Sequence, residues 1–191
     1  MLQAVSRFLI ARSSTRLVVT MAAITLILVG VFGVYLVPGF AAVSGGRLPL
    51  DLQFPLTPSV IFAELAVYDE AARRLYLQFL IVDMLYPPAL AVFLLTWWVR
   101  ILDTAGASAW LERPGSFLWM WPLAAALLDW SENIGLALMI WDIPGGASRA
   151  DLLALLVTGL RAAKLLALQV SFLTTLVLAC WWLWQRYNQP R

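Results

Sequence analysis

Four long apolar runs dominate the chain and predict four membrane-spanning helices. They lie at about residues 17–37, 75–99, 117–141 and 160–184. Each run is close to the roughly 20 residues that a helix needs to cross a bilayer. A further helical pattern begins at Thr57-Pro58-Ser59 and ends near Tyr68, which predicts a short interfacial helix. We therefore expect an all-α integral membrane protein, with four transmembrane helices in a bundle and one or two short interfacial helices.

Proline and glycine mark the segments where these helices should stop or bend. Residues 38–58 are rich in both and predict an irregular loop, so the extramembrane segment 38–74 should hold this loop and the short helix. From Asp69 the pattern predicts a helix that runs into the second span. Pro87 and Pro88 should kink that span, because proline lacks an amide hydrogen. The whole chain, residues 1–191, then forms a single membrane domain.

The composition supports the membrane assignment. The chain is 62% hydrophobic and 13% charged, which is atypical of a soluble globular domain. Its net charge of +2 and its scattered basic residues exclude a nucleic-acid-binding patch. Arginines flank the apolar runs at both ends of the chain, among them Arg7, Arg12 and Arg186. By the positive-inside rule, we expect an integral protein of a bacterial inner membrane with both termini cytoplasmic.

Histidine and cysteine limit the chemistry that the chain can perform. It has no histidine and one cysteine, Cys180. These counts exclude an internal disulfide, a cysteine-rich zinc site, histidine-ligated haem and every mechanism that needs an imidazole base. Magnesium or manganese held by carboxylates alone stays open. The sequence itself predicts neither a metal nor a cofactor.

Ionisable side chains inside the apolar runs form the candidate site. Charges within membrane spans are costly, so they tend to be paired and to mark function. Helical spacing places Asp129, Glu132 and Asn133 on one face of the third span, and Arg161 and Lys164 on one face of the fourth. We expect them to meet Asp83 of the second span in a polar cavity towards the outer leaflet. Carboxylates would form the floor of that cavity and cations its rim.

Each candidate residue receives a role from its chemistry. Carboxyl groups in differing environments can serve as general acid and base without histidine. The candidate catalytic residues are Asp129, Glu132 and Asp83. The candidate ligand-binding residues are Asn133, Arg73, Arg74, Tyr76, Arg161 and Lys164.

These residues favour a binding site for an amphiphilic or lipid-like ligand, with acid/base catalysis by carboxylates as a further role. One alternative is a small proton- or ion-coupled transporter, because the Pro87-Pro88 break lies near a carboxylate. A second is a non-catalytic accessory subunit of a larger membrane complex. A purely structural charge network is the simplest alternative. The expected partners are membrane lipids, together with further copies of the chain or other subunits in the oligomeric cases.

Overall fold

A computed structural model describes residues 12–104, 119–141 and 147–188. Its α-helices are α1 (Thr15–Val31), α2 (Val37–Val43), α3 (Pro58–Val67), α4 (Glu70–Asp83), α5 (Tyr86–Thr104), α6 (Met120–Ile140) and α7 (Ala147–Asn188). Within these three ranges every regular element is helical and no strand occurs. The all-α prediction is therefore confirmed for this part of the chain. Arg7 and the first residues of the third predicted span lie outside the described ranges.

Within the described ranges, four helical segments are long and apolar enough to cross a membrane. They are Thr15–Val43, Glu70–Thr104, Met120–Ile140 and Arg149–Asn188. Two of them contain an interruption, between α1 and α2 and between α4 and α5. The number of candidate spans agrees with the prediction and is consistent with a membrane protein. Helix α6 packs along α7 and α5, and α1 packs along α5.

The first candidate span continues beyond its predicted end. The irregular loop predicted for residues 38–58 is wrong for its first six residues, because α2 extends to Val43. A wider π turn precedes α2, in which the amide of Val37 donates to the carbonyl of Phe32. This turn accommodates Pro38, which cannot donate to the carbonyl four residues earlier. The helix ends just before Gly45 and Gly46, whose φ angles of +73° and +88° favour glycine.

The rest of the loop folds back against the long helices. A single 3-10 turn, Leu50–Leu52, lies within residues 49–53, which we call the strap. Leu50 is completely buried and belongs to a core that also contains Phe40, Ile61 and Tyr76. The predicted short helix is confirmed as α3, whose Thr57 hydroxyl accepts a hydrogen bond from the amide of Val60. The strap is thus a packed part of the structure.

Helix α4 begins where the sequence predicts, and the kink predicted at Pro87 and Pro88 is a short break that lies just before them. The carboxylate of Asp69 caps it by accepting a hydrogen bond of 2.8 Å from the amide of Ala72. The helix ends at Asp83, and α5 starts three residues later at Tyr86. Because Pro87 has no amide hydrogen, the Asp83 carbonyl cannot make the usual helical bond. The indole Nε1 of Trp130 on α6 donates to the Met84 carbonyl at 2.8 Å and fixes the break to its neighbour.

Helices α6 and α7 approach each other closely where a glycine allows it. A Cβ atom added to Gly135 would lie 2.5 Å from Cγ2 of Val157. The close contact between Gly135 and Val157 also brings the polar faces of the two helices together, about one helical turn away from it, where Glu132 meets Arg161. Helix α7 has 42 residues, a length of about 63 Å at 1.5 Å per residue. The assignment of residues 160–184 as its crossing part stays a prediction.

Candidate functional site

The six ionisable or amide residues predicted inside the spans meet in one place, which we call the charge cluster. Its members are Asp83, Asp129, Glu132, Asn133, Arg161 and Lys164. Helix α6 supplies three of them from a single face, as their spacing of three and four residues predicts. Five of the six are buried, and Glu132 is completely so; Asp83 is half-buried. The cluster therefore joins α4, α6 and α7.

Two carboxylates of the cluster are paired with its two cations. The ammonium Nζ of Lys164 lies 2.7 Å from Oδ1 of Asp129 and also contacts Oε2 of Glu132. The guanidinium Nη1 of Arg161 lies 3.1 Å from Oε1 of Glu132. Glu132 thus connects both cations, since each of its oxygens contacts one of them. Such mutual pairing is what makes buried charges tolerable.

The third carboxylate of the cluster has a different environment. The side-chain Nδ2 of Asn133 donates to Oδ2 of Asp83 at 2.9 Å and to Oδ2 of Asp129 at 3.2 Å. Its other side-chain atom, Oδ1, is buried and has no hydrogen-bond partner among the described residues. Asn133 therefore bridges an ion-paired carboxylate and Asp83, which pairs with no cation within the described residues.

Arg161 also holds the strap against the cluster. Its Nη1 donates to the Leu50 carbonyl at 3.0 Å, and its Nη2 donates to the carbonyls of Asp51 and Gln53 at 2.5 and 2.9 Å. On the other side of the strap, the buried hydroxyl of Tyr76 donates to Oδ2 of Asp51 at 2.6 Å. Arg161 is thus hydrogen-bonded to the backbone of the strap and ion-paired with Glu132. The predicted ligand-binding residue Tyr76 joins the site only through Asp51.

Asp51 is the site residue that the sequence did not single out. It lies in the proline-rich loop rather than in an apolar run, so no helical period connects it to the other acids. The sequence feature that could have indicated Asp51 is its position between two leucines, Leu50 and Leu52, because an apolar flank on both sides is unusual for an acid in a solvated loop. Only the fold of the strap brings it to the cluster.

Arg73 and Arg74, the other two predicted ligand-binding residues, lie away from the cluster. The guanidinium of Arg73 donates to the carbonyls of Leu65, Tyr68 and Ile140 at 3.2–3.4 Å. It therefore links the ends of three helices. Arg74 is exposed and forms an ion pair with Glu70, one turn earlier on α4. The structure brings neither side chain to the carboxylates.

A narrow cleft between α5, α6 and α7 leads to the cluster. Its volume is about 30 Å³, enough for a water-sized group. Its polar end consists of Asp129 and Lys164. Its walls are apolar apart from the Tyr86 hydroxyl and consist of Tyr86, Pro87, Leu90, Ala91, Leu94, Pro122, Ala125, Ala126 and Leu168. The cleft thus combines a hydrocarbon-like wall with an ion pair at one end.

A second polar group lies outside the candidate spans. Nη1 of Arg47 forms a 2.8 Å ion pair with Glu64 of α3, and Tyr68 lies beside that carboxylate. Burial, and then the negative charge of Glu64, raise the pKa of the Tyr68 hydroxyl above its usual range. This group ties the loop to α3 and does not reach the charge cluster through any described contact.

The described ranges contain no group of three histidine, cysteine or acidic side chains placed to hold a metal ion. Comparisons with protein families, with curated proteins and with solved structures give no match. The geometry of the charge cluster and the cleft is therefore the basis for a function.

Proposed function

We propose that this chain is an integral membrane protein that binds an amphiphilic, lipid-like ligand in the cleft and exchanges a proton with it through the charge cluster. The observation that carries this proposal is the cleft itself, whose apolar walls end at the ion pair of Asp129 and Lys164. Apolar walls suit a hydrocarbon chain, and an ion pair can orient a polar end. Carboxylates of the cluster supply the acid/base chemistry.

The cleft must widen before such a ligand can enter. Ligand sites commonly measure about 300–1,000 Å³, roughly ten times the volume of the cleft or more. Movement of α5 away from α6 and α7 would widen it, and the break at Met84 and Leu85 gives α5 a hinge at its start. Alanines at positions 91, 125 and 126 keep the facing surfaces small. The structure is thus the closed state of the proposed site.

The ion pairs favour a ligand with a neutral polar end. Lys164 already contacts two carboxylates, and Arg161 is engaged by Glu132 and the strap. A phosphate or carboxylate would have to displace those partners and leave buried acids without a cation, which is costly. A hydroxyl or carbonyl group needs only one hydrogen bond at Asp129 or Lys164. An alcohol- or carbonyl-bearing amphiphile is therefore the proposed ligand class.

Mass spectrometry of lipids and metabolites bound to the purified protein tests this function. Ala126→Leu fills the cleft, whereas Ala124→Leu makes the same change on α6 outside the cleft lining. We expect an enriched neutral amphiphile with the wild type and with Ala124→Leu, and its loss with Ala126→Leu. Equal amounts in all three proteins, or no species enriched over the bulk membrane, would contradict the proposal.

Proton-coupled transport is a second candidate, favoured by the helix break beside Asp83. Discontinuous spanning helices occur at the ion and substrate sites of many transporters. Here α4 ends at Asp83, whose carbonyl is deprived of its helical donor by Pro87. Proton flux measured in liposomes should then be present with the wild type and absent with Asp83→Asn. Flux that persists in this variant would exclude Asp83 as the coupling group.

A further inference from the structure

We infer that Asp83 is the proton-exchanging group of the charge cluster, and that Asp129 and Glu132 stay ionised as the partners of Lys164 and Arg161. This inference deepens the proposed function, because it assigns the proton of that site to one residue. It also has a separate basis, since it depends on contacts within the protein and not on a ligand.

The buried acids of the candidate spans outnumber the cations that they face. Within the cluster, three carboxyl groups from α4 and α6 face two cations from α7. A single proton therefore makes these five groups neutral, whereas full ionisation leaves one excess negative charge. The carboxyl group of Asp51 in the strap lies beside them and adds negative charge, which increases the need for a proton. Because an uncompensated charge in a membrane span is costly, the neutral form is the stable one at rest. The remaining question is which carboxyl group carries this proton.

Contacts assign the proton to Asp83. Asp129 and Glu132 each contact the Lys164 ammonium, and Glu132 also contacts Arg161. Asp83 has one side-chain hydrogen bond within the described part of the chain, from the neutral amide of Asn133. The ionisable groups that face Asp83 from the neighbouring elements are Asp129 of α6, Lys164 of α7, Tyr86 of α5 and Asp51 of the strap. The carboxylate of Asp129 is among the nearest of these, because the same Nδ2 atom of Asn133 donates to both carboxyl groups.

Asn133 supplies an independent observation. It is 1% exposed, and its Oδ1 atom is an acceptor without a donor among the described residues. A protonated carboxyl group beside this amide would supply the donor that Oδ1 lacks, whereas ionised carboxylates offer only acceptors. The unpaired acceptor therefore favours one protonated carboxyl group next to Asn133.

Exposure also distinguishes Asp83 from the other two acids. Glu132 is 0% exposed and Asp129 is 8% exposed, whereas Asp83 is half-buried at the end of α4. A group that exchanges protons needs a route to water or to a ligand. Asp83 also lies within four residues of Tyr86 and Pro87, which line the cleft. A proton held there is thus near the space that the proposed ligand would occupy.

Infrared difference spectroscopy of the purified, ligand-free protein tests the assignment. Titration from about pH 5 to about pH 9, a range above the usual carboxyl values, should remove the carbonyl band of one protonated carboxyl group. Asp83→Asn should abolish that change. The matched variant Asp103→Asn alters an exposed acid on α5 and should leave it intact. A band that persists in Asp83→Asn would overturn the inference.

A second variant keeps the test decisive if Asp83→Asn fails to fold. Asn133→Leu removes the amide donor that stabilises ionised Asp83. Its carboxyl band should persist to a pH about one unit higher, a tenfold increase in proton affinity. An unchanged midpoint would overturn the assignment to Asp83. Because no ligand is present in either measurement, these outcomes are independent of whether an amphiphile binds the cleft.

Discussion

Individual buried side chains in this protein are stabilised by specific partners rather than by solvent. Glu132 contacts two cations, Lys164 contacts two carboxylates, and Arg161 bonds to three backbone carbonyls as well. Losing one partner leaves the other buried with fewer opposite charges, and losing every partner would leave it uncompensated. Removal of a buried ion-pair partner costs about 3–5 kcal/mol, far more than the loss of an exposed one.

Asp129→Asn should destabilise the protein by about 1.5–3 kcal/mol, because Lys164 keeps its charge and loses one of its two carboxylates while its contact with Glu132 remains. Thermal unfolding in detergent, converted to a free energy of unfolding, measures the effect. Asp103→Asn is the control, since its ion pair with Arg100 is exposed and long at 3.4 Å and should change stability by less than about 1 kcal/mol. Equal effects of the two substitutions would refute a stabilising role for the buried ion pair.

The helices are held together by a few close contacts along their lengths. Helices α6 and α7 approach at Gly135, and α6 is tied to the break before α5 by Trp130. The strap is attached to α7 through Arg161 and to α4 through Tyr76. Each of these contacts depends on a single side chain, except the one at Gly135, which depends on the lack of a side chain. Single substitutions should consequently affect separate elements.

Gly135→Ala should destabilise the α6–α7 contact by about 1–3 kcal/mol, because the new methyl group would overlap Val157, whose β-branched side chain has little freedom to move. Gly159→Ala on α7 provides the control. A Cβ atom there meets nothing within 4 Å, and alanine is the better helix former. Calorimetric unfolding in detergent should show the first variant melting lower and the second unchanged or higher. The reverse order would contradict the close packing.

Arg161→Gln should release the strap without leaving Glu132 unpaired, because Lys164 still contacts that carboxylate. The variant loses three hydrogen bonds to the strap, worth roughly 1 kcal/mol each, so the opening of the loop should rise by at least about fivefold. Limited trypsin digestion, with cleavage after Arg47 followed by mass spectrometry, measures this opening. Arg149→Gln removes an exposed arginine from the same helix and should leave the rate at Arg47 unchanged. A strap that stays equally protected would show that Arg161 does not hold it.

In the molecule as a whole, charged side chains pair with one another in the interior. Charged side chains of α4, α6 and α7 face one another, and the exposed surfaces of α1 and α7 are largely apolar. Soluble proteins show the reverse distribution of polar and apolar side chains. The distribution found here suits insertion in a bilayer. An even number of spans would place both ends of the chain on the same side.

Reporter fusions test this topology. A fusion at either terminus should be active in the cytoplasm, whereas one inserted at the glycine turn of residues 45–46 should report the opposite side. The physical reason is the arginine excess at the ends of the chain, together with four candidate spans. Termini on opposite sides would show that one of the four helices does not cross.

Much of the fold followed from the sequence because apolar runs, proline and helix caps act locally. The four candidate spans, the cap at Asp69 and the break before Pro87 depend on residues close in sequence. The continuation of the first span past Pro38 was not predictable in this way, since a π turn accommodates that proline. Local rules predict where a helix is strained but not how the backbone relieves the strain.

For the charge cluster, the sequence determined which side chains had to meet, because six ionisable or amide residues in apolar runs have few other partners. Only the tertiary structure decided how they pair. In the structure Arg161 bonds to the strap, Asp51 lies near the cluster, and Arg73 and Arg74 have partners elsewhere. Among the described residues, the side chain of Asp83 bonds only to the Asn133 amide. The physical reason is that helical periodicity fixes the face on which a residue lies. The distances between faces depend on how the helices and the loop pack together.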